Sequence, residues 1–344
     1  MRSYERMKIR ILFVYYQLSS FVRSDLEILK RHFDVKELRI PTFRNPLNIL
    51  KLLLWTARVD LVYTWFADIN AFFSVLFSKL LGKKSVVVVG GYDAAYVPEI
   101  NYGIFINRWR AVLVKFVYEH VDLILVVDSS LKDDILRNTK LKIEDKIKVV
   151  PTGYDANKWI AGTCNKENLV VTVGAVNWSN LRRKGFEIFV KAAKHIPDVK
   201  FVLIGKHLDD SINYLRSIAS PNVEFTGFLS EKDLLHFYQR AKVYCQLSRY
   251  EGLPNALCEA MLCECVPVGT KYCGIPNAIG DTGYYVPYGN LEATVEAIRE
   301  ALKSNKGKDA RERIQRKFSI KTREGRLVNE IVNIYFDRNG EWVK

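Results

Sequence analysis

Ser248-Arg249-Tyr250-Glu251-Gly252-Leu253-Pro254-Asn255-Ala256-Leu257-Cys258-Glu259-Ala260-Met261 is the stretch that decides the architecture of this chain. Upstream, Val243-Tyr244-Cys245-Gln246-Leu247 has the length and the β-branched and aromatic content of a buried strand. Downstream, Val266-Pro267-Val268-Gly269-Thr270 reads as a second short strand. Between them Pro254 can open a helix, because its missing N–H falls among donors that a first turn leaves unpaired. The order is strand, loop with Glu251 and Gly252, helix with Glu259 in its second turn, strand. In an open parallel sheet, ligands collect at the carboxyl ends of strands, where helix N-termini attract anions.

The two glutamates bracket that position. A straight helical span of this spacing measures about 12 Å, so the carboxylates cannot share one metal or act as a close acid/base pair. They can touch two ends of one long ligand, and a nucleotide sugar fits: hydroxyl-bearing sugars on either side of a diphosphate. Carboxylates accept hydrogen bonds from vicinal hydroxyls, and the helix N-terminus between them suits the diphosphate. Two solvated glutamates on an ordinary amphipathic helix are the plainer alternative.

Glu251 and Glu259 at this spacing, with Gly252, Pro254, Asn255 and Glu259-Ala260-Met261, then Pro267-Val268 and Gly274-Ile275-Pro276, resemble the donor-site signature of retaining glycosyltransferases of family 4, the group 1 glycosyl transferases. The resemblance runs from about Ile147 to Gly289 and is looser before that. It implies an α/β chain of the GT-B fold, with two Rossmann-like parallel-sheet domains facing across a cleft. The expected division is an acceptor-side domain over 1–156, a donor-binding domain over 157–325, and a C-terminal helix over 326–344 that packs back on the first domain.

A chain of 344 residues can build two full cores. The six cysteines follow no paired framework and no C-x-x-C spacing. Cys258, Cys263, Cys265 and Cys273 cluster near the proposed site but read as small buried residues, and a reducing cytoplasm is the default. Met1 to Arg6 runs into a strand without a signal-peptide cleavage site. The apolar window Val59 to Gly82 contains Asp60, Asp68, Asn70 and Lys79, so it is not a membrane span. Net charge is +14, and residues 1–150 hold 24 basic and 16 acidic side chains. A basic surface favours anionic lipid or an anionic substrate; no nucleic-acid-binding signature accompanies it.

Ile9 to Tyr15 is the first strand, and its loop lacks the glycine-rich turn usual in the resembled family, since no glycine precedes Gly82. Ser19 and Ser20 are left to make the turn. The segment Arg44 to Trp55 is dense in leucine and flanked by Arg44, Lys51 and Arg58; it reads as a core-packing helix, or as a membrane-surface helix. Lys84 to Val89 is a strand buried on both faces and ending in Gly90-Gly91-Tyr92-Asp93. In the resembled family this loop reaches the transferred sugar, often through a histidine; here Asp93 is the polar candidate, with a turn-forming aspartate as the alternative.

In the second half, Leu169 to Gly174 is a strand tipped by glycine, and Arg182-Arg183-Lys184-Gly185 precedes a helix. The resemblance assigns donor diphosphate binding to Lys184 and to an arginine just after the strand glycine. Ala175 stands in the arginine position, leaving Arg182 or Arg183 as substitutes. Lys206 follows the next strand, and Phe228 and Leu229 follow Gly227 where the resembled family cups the nucleobase. Ser230 with Asp233 reads as a helix cap. Asn277 departs from a common glutamate.

The resemblance implies transfer of a sugar from a nucleotide-diphosphate sugar to a glycan or lipid-linked acceptor, with retention. Glu251, Lys184 and Asp93 are the catalytic candidates. Donor contacts fall to Gly174, Arg182, Arg183, Lys184, Lys206, Phe228, Leu229, Glu251, Gly252, Pro254, Asn255, Ala256 and Glu259. No metal and no cofactor is expected, and the expected location is cytoplasmic, with peripheral contact on an anionic membrane as an option. A nucleotide-sugar epimerase or hydrolase on the same fold, or a non-catalytic donor-binding subunit, are the competing readings.

Overall fold

The computed structural model describes residues 9–43 and 45–336. The leader reading at Met1 to Arg6, the side chain of Arg44 and the tail beyond Phe336 lie outside them. Two compact units are formed. The first takes the chain up to Pro98, then Gly103–Gly153, then the chain from Lys321 onward; the second takes Glu99–Tyr102 and Tyr154–Ile320.

The first unit alternates strand and helix: β1 (Arg10–Tyr15), α1 (Ser20–His32), β2 (Asp34–Arg39), α2 (Pro46–Ala57), β3 (Leu61–Trp65), α3 (Ile69–Leu80), β4 (Lys84–Val89), α4 (Arg108–His120), β5 (Leu123–Val126), α5 (Ser129–Thr139) and β6 (Ile147–Val149). All six strands run parallel in the order β2-β1-β3-β4-β5-β6. β3, β4 and β5 are buried almost throughout because helices cover both faces, which is why they read as continuous apolar runs rather than alternating ones. Asp128 caps α5 by accepting from the amide of Ser130.

The second unit repeats the scheme: β7 (Glu167–Val173), α6 (Trp178–Arg183), α7 (Phe186–Ala193), β8 (Lys200–Ile204), α8 (Ser211–Ile218), β9 (Val223–Gly227), α9 (Glu231–Arg240), β10 (Ala241–Gln246), α10 (Asn255–Leu262), β11 (Val266–Thr270), α11 (Ile275–Ile279), β12 (Tyr284–Val286), α12 (Leu291–Lys303) and α13 (Gly307–Lys317). Its order is β12-β11-β10-β7-β8-β9, again parallel. Phe186, Phe189, Phe201 and Val243 belong to its core. Ser230 caps α9 by accepting from the amide of Asp233. Pro254 turns out to be the N-cap of α10 rather than its first helical residue.

The last helix, α14 (Ile320–Phe336), returns to the first unit. Its Arg323 reaches Asp25 on α1, and both are buried, at 2% and 0% exposure. Arg323 donates to both carboxylate oxygens, at 2.5 and 2.6 Å. Tyr63 and Trp65 of β3 donate to the same carboxylate, at 2.6 and 2.9 Å. The remaining guanidinium nitrogen donates to the carbonyls of Val150 and Pro151 just past β6. Every partner a buried charge pair needs is therefore in place.

Helix α2 buries one edge and leaves another to solvent. Leu52 and Thr56 are buried, while Leu47, Leu50 and Leu54 face solvent beside exposed Lys51 and Arg58. On α4, Trp109 and Val112 are exposed as well.

Arg323→Met leaves Asp25 buried without its counter-charge, a change that costs about 3–5 kcal/mol for pairs of this kind. Thermal unfolding of the purified variant should show a lowered transition, and Arg323→Lys, which keeps charge but not the two-pronged geometry, should fall between it and the parent. An unchanged melting profile in Arg323→Met would show that the pair is dispensable.

Candidate donor-binding site

The site is built from strand tips of the second sheet. Gly174 follows β7 directly, and an added Cβ there would lie 2.6 Å from Cδ of Lys184. The missing side chain lets the lysine stem run across the strand end. Gly185 has φ +67°, and a Cβ there would stand 2.5 Å from the carbonyl of Leu247. That turn sets the start of α7 against the end of β10, and so brings Lys184 to Glu251.

Helix α6 separates the two candidate arginines. Neighbours on a helix point about 100° apart, and here Arg182 faces solvent while Arg183 turns inward. Arg183 donates to Glu251 Oε1 at 3.0 Å and Lys184 donates to the same oxygen at 2.8 Å. Gln246 and Ser248, at the end of β10, donate to it too, at 3.3 and 3.1 Å. Oε2 has no hydrogen-bond partner among the described residues. The guanidinium of Arg183 is braced by Asn180 Oδ1 and the Tyr250 carbonyl, and lies over the Tyr102 ring at 5.0 Å.

Burial raises the Glu251 carboxyl, but Lys184 and Arg183 outweigh it and hold it at about 2. Burial pulls Lys184 down, with Arg183 adding to the pull and Glu251 opposing it. Two cations against one carboxylate leave one uncompensated positive charge. Lys184 has three N–H donors and Glu251 takes one, so two remain for an incoming anion. Beside them α10 begins, and the amides of its first turn, from Asn255 and Ala256 on, lack intrahelical acceptors. Asn255 accepts a hydrogen bond from the Tyr154 hydroxyl at 2.7 Å.

Glu259, in the second turn of α10, accepts no hydrogen bond among the described residues. Burial pushes it up to about 7; Lys158 lowers it and Glu231 raises it further. Phe228 is 77% exposed just past the end of β9, with Leu229 half-buried beside it. Lys206 is exposed at the end of β8, where its carbonyl accepts from the amide of Val176.

Three expected placements change. Lys184 and Glu251 were expected to grip different parts of a ligand; they pair with each other, and Arg183 joins them. Arg182 lies outside that cluster, its carbonyl accepting from the Tyr288 hydroxyl. Asp93 belongs to the first unit, 1% exposed, and accepts from the amides of Ala67, Gly90 and Gly91. It acts there as the turn-former of its loop. Residues that the sequence did not mark are Gln246, Ser248 and Tyr102. The first two sit two apart at a strand end, a pattern that would have revealed them; Tyr102 has no local signal.

The fold is that of solved GT-B glycosyltransferase structures. Anabaena HepE in complex with UDP and glucose superposes with a TM-score of 0.78 over 94% of this chain and 100% of that one, at 15% identity. Residues 154–318 match the family model described as Glycosyl transferases group 1. Among curated proteins, the alpha-maltose-1-phosphate synthase of Mycolicibacterium smegmatis is 24% identical over 60% of this chain and 58% of its own length. The Campylobacter jejuni N-acetylgalactosamine-N,N'-diacetylbacillosaminyl-diphospho-undecaprenol 4-alpha-N-acetylgalactosaminyltransferase is 21% identical over 67% and 64%. The chain thus spans about three fifths of the length of these two relatives.

Glu251→Gln strips two buried cations of their counter-charge and should lower stability near pH 7 by about 2–4 kcal/mol. The folded carboxyl sits at about 2 against a reference of 4.5, so its contribution is complete above the reference value and is lost as pH falls towards 2. The difference in melting temperature between parent and variant should shrink from pH 5 to pH 3; a constant difference would dissociate the stabilisation from the charge on Glu251.

Proposed function

We propose that the chain transfers a sugar from a nucleoside-diphosphate sugar, with UDP as the first base to test, to an acceptor hydroxyl, retaining the anomeric configuration. The observation that carries this reading is the convergence of Arg183 and Lys184 on Glu251 at strand tips, beside the N-terminus of α10. Arg183 takes the place of the arginine that Ala175 does not supply. The two cations and the first-turn amides hold the diphosphate, Glu259 accepts from the ribose hydroxyls, Phe228 and Leu229 flank the base, and Glu251 Oε2 faces the sugar hydroxyls. The anomeric C–O bond to phosphate breaks as the acceptor oxygen bonds to the same carbon on the same face. The acceptor proton passes to the departing diphosphate, whose charge the cluster stabilises. The co-crystallised UDP and glucose of the Anabaena protein agree in ligand class.

The acceptor is glycan or lipid-linked, the latter in keeping with the undecaprenol-linked substrate named for the Campylobacter relative. The outer faces of α2 and α4 support contact with an anionic membrane. Leu47, Leu50 and Leu54 alternate there with Lys51 and Arg58, and Trp109 and Val112 with Arg108 and Lys115, all exposed.

A thermal-shift series with UDP-sugars should raise the melting point of the parent. Lys184→Ala and Glu259→Gln should each weaken UDP affinity at least tenfold, about 1.4 kcal/mol. Glu259 is raised from 4.5 to about 7, so its neutral form favours the folded state below 4.5 and that preference is lost as pH rises through 7. Unliganded Glu259→Gln should therefore be more stable than the parent at pH 8, by about 1–3 kcal/mol, and no different at pH 4. Parent-like UDP affinity in both variants would rule out this donor site.

Flotation with phosphatidylglycerol-containing vesicles tests the membrane face. Binding should drop steeply between low and physiological salt, and Leu50→Ser/Leu54→Ser should abolish it. Salt-independent binding, or none, would remove the membrane from the account.

A further inference from the structure

The chain passes from one unit to the other after Pro98, Tyr102, Gly153 and Ile320. Two tyrosines stand at these crossings, and each touches a residue of the donor site. Tyr154 is the first residue of the second unit's long segment and is 7% exposed. Its amide donates to the Phe318 carbonyl at 2.8 Å, and its carbonyl accepts from the Ile320 amide at 3.0 Å. The two later crossings are thereby tied to each other through Tyr154. The side chain of the same residue reaches α10, where its hydroxyl donates to Asn255 Oδ1 at 2.7 Å. Asn255 opens that helix, among the first-turn amides that lack intrahelical acceptors.

At the earlier crossing the chain joins the second unit for Glu99–Tyr102 only. This excursion is not slack. Asn101 holds φ +51°, and Gly103 holds φ +113° at a place where a Cβ would collide with the Ala95 carbonyl. The Tyr102 ring lies 5.0 Å from the Arg183 guanidinium and 5.6 Å from the Tyr250 ring. Glu99 accepts from Arg249, whose own amide donates to the Arg183 carbonyl at 2.7 Å. The Glu99 side chain is 50% exposed, so water and salt screen that ion pair. Arg183 is 12% exposed, and a guanidinium so far desolvated gains more from an aromatic face. Tyr102 is therefore the stronger of the two holds.

Linkage makes such contacts reciprocal. If they hold Arg183 and Asn255 where a diphosphate needs them, a bound diphosphate favours the state in which they are made. We propose that Tyr102 and Tyr154 are positioning residues that couple occupancy of the donor site to the crossings of the chain. The proposal rests on the donor-site reading and deepens it: the second unit registers its ligand through two side chains and stiffens its own junctions in response.

Hydrogen–deuterium exchange of the full chain, with and without saturating UDP, provides the test. In the parent, peptides spanning 98–103, 152–156 and 317–321 should exchange about threefold or more slowly once UDP is bound. Tyr154→Phe keeps the ring and removes the bond to Asn255. It should abolish the slowing at 152–156 and 317–321 and leave that at 98–103. Tyr102→Leu should do the reverse, and Tyr102→Phe, which keeps an aromatic face over Arg183, should retain the parent response. Tyr102→Leu and Tyr154→Phe should each weaken UDP affinity roughly three- to tenfold. A purely structural role would lower the melting temperature and leave the UDP response intact. That result, or a parent whose crossings do not respond although UDP binds, would overturn the coupling alone. A parent that binds no UDP defeats the donor site, and the coupling with it. Tyr154→Phe removes a single oxygen from a filled position, so it decides the matter even where Tyr102→Leu does not fold.

Discussion

One carboxylate oxygen, Glu251 Oε1, holds two cations of the second unit together. Arg183 and Lys184 are consecutive, like-charged and only 12% and 16% exposed in their side chains, an arrangement that repulsion and desolvation would otherwise scatter. At about 3 Å and an effective dielectric near 20, each attraction to Glu251 is worth roughly 5 kcal/mol, which exceeds what a partly exposed ion pair needs to persist. The oxygen is itself fixed by Gln246 and Ser248, so the end of β10 dictates where the positive charge stands. Glycine at 174 and 185 completes the arrangement by letting a lysine stem and a helix start come closer than any side chain would permit.

The parallel strands were legible because burial on both faces leaves unbroken apolar runs such as Val86 to Val89, and because Ser230 announces a helix start through its side-chain cap. Lys184 was legible from its place between a strand glycine and a helix. Helix α6 was not: Trp178 to Arg183 is six residues with a single buried side chain, Leu181, too short for a periodic signal. Without it, nothing distinguished Arg182 from Arg183. Nor could spacing alone show that Glu251 would pair with cations, since that depends on how closely Gly185 lets α7 approach β10.

Charge is handled in opposite ways in the two units. In the first, Asp25 and Arg323 satisfy one another completely and meet four further groups, so the pair is inert and serves packing. In the second, Glu251 is matched against two cations and Glu259 accepts no hydrogen bond among the described residues, so charge and acceptor capacity are left over. Unsatisfied electrostatics of that kind raise the energy of the empty protein and are relieved when a ligand of complementary charge arrives.

The pairing of Asp25 with Arg323 spans 298 positions. A ribosome adding about 5–20 residues per second would therefore expose the aspartate for roughly 15 to 60 seconds before its arginine emerged. The second unit is contiguous but for four residues and can complete itself in the interval, while the first must wait for α14. Synthesis order and folding order are thus partly reversed: the half of the protein that is translated first is the half that closes last.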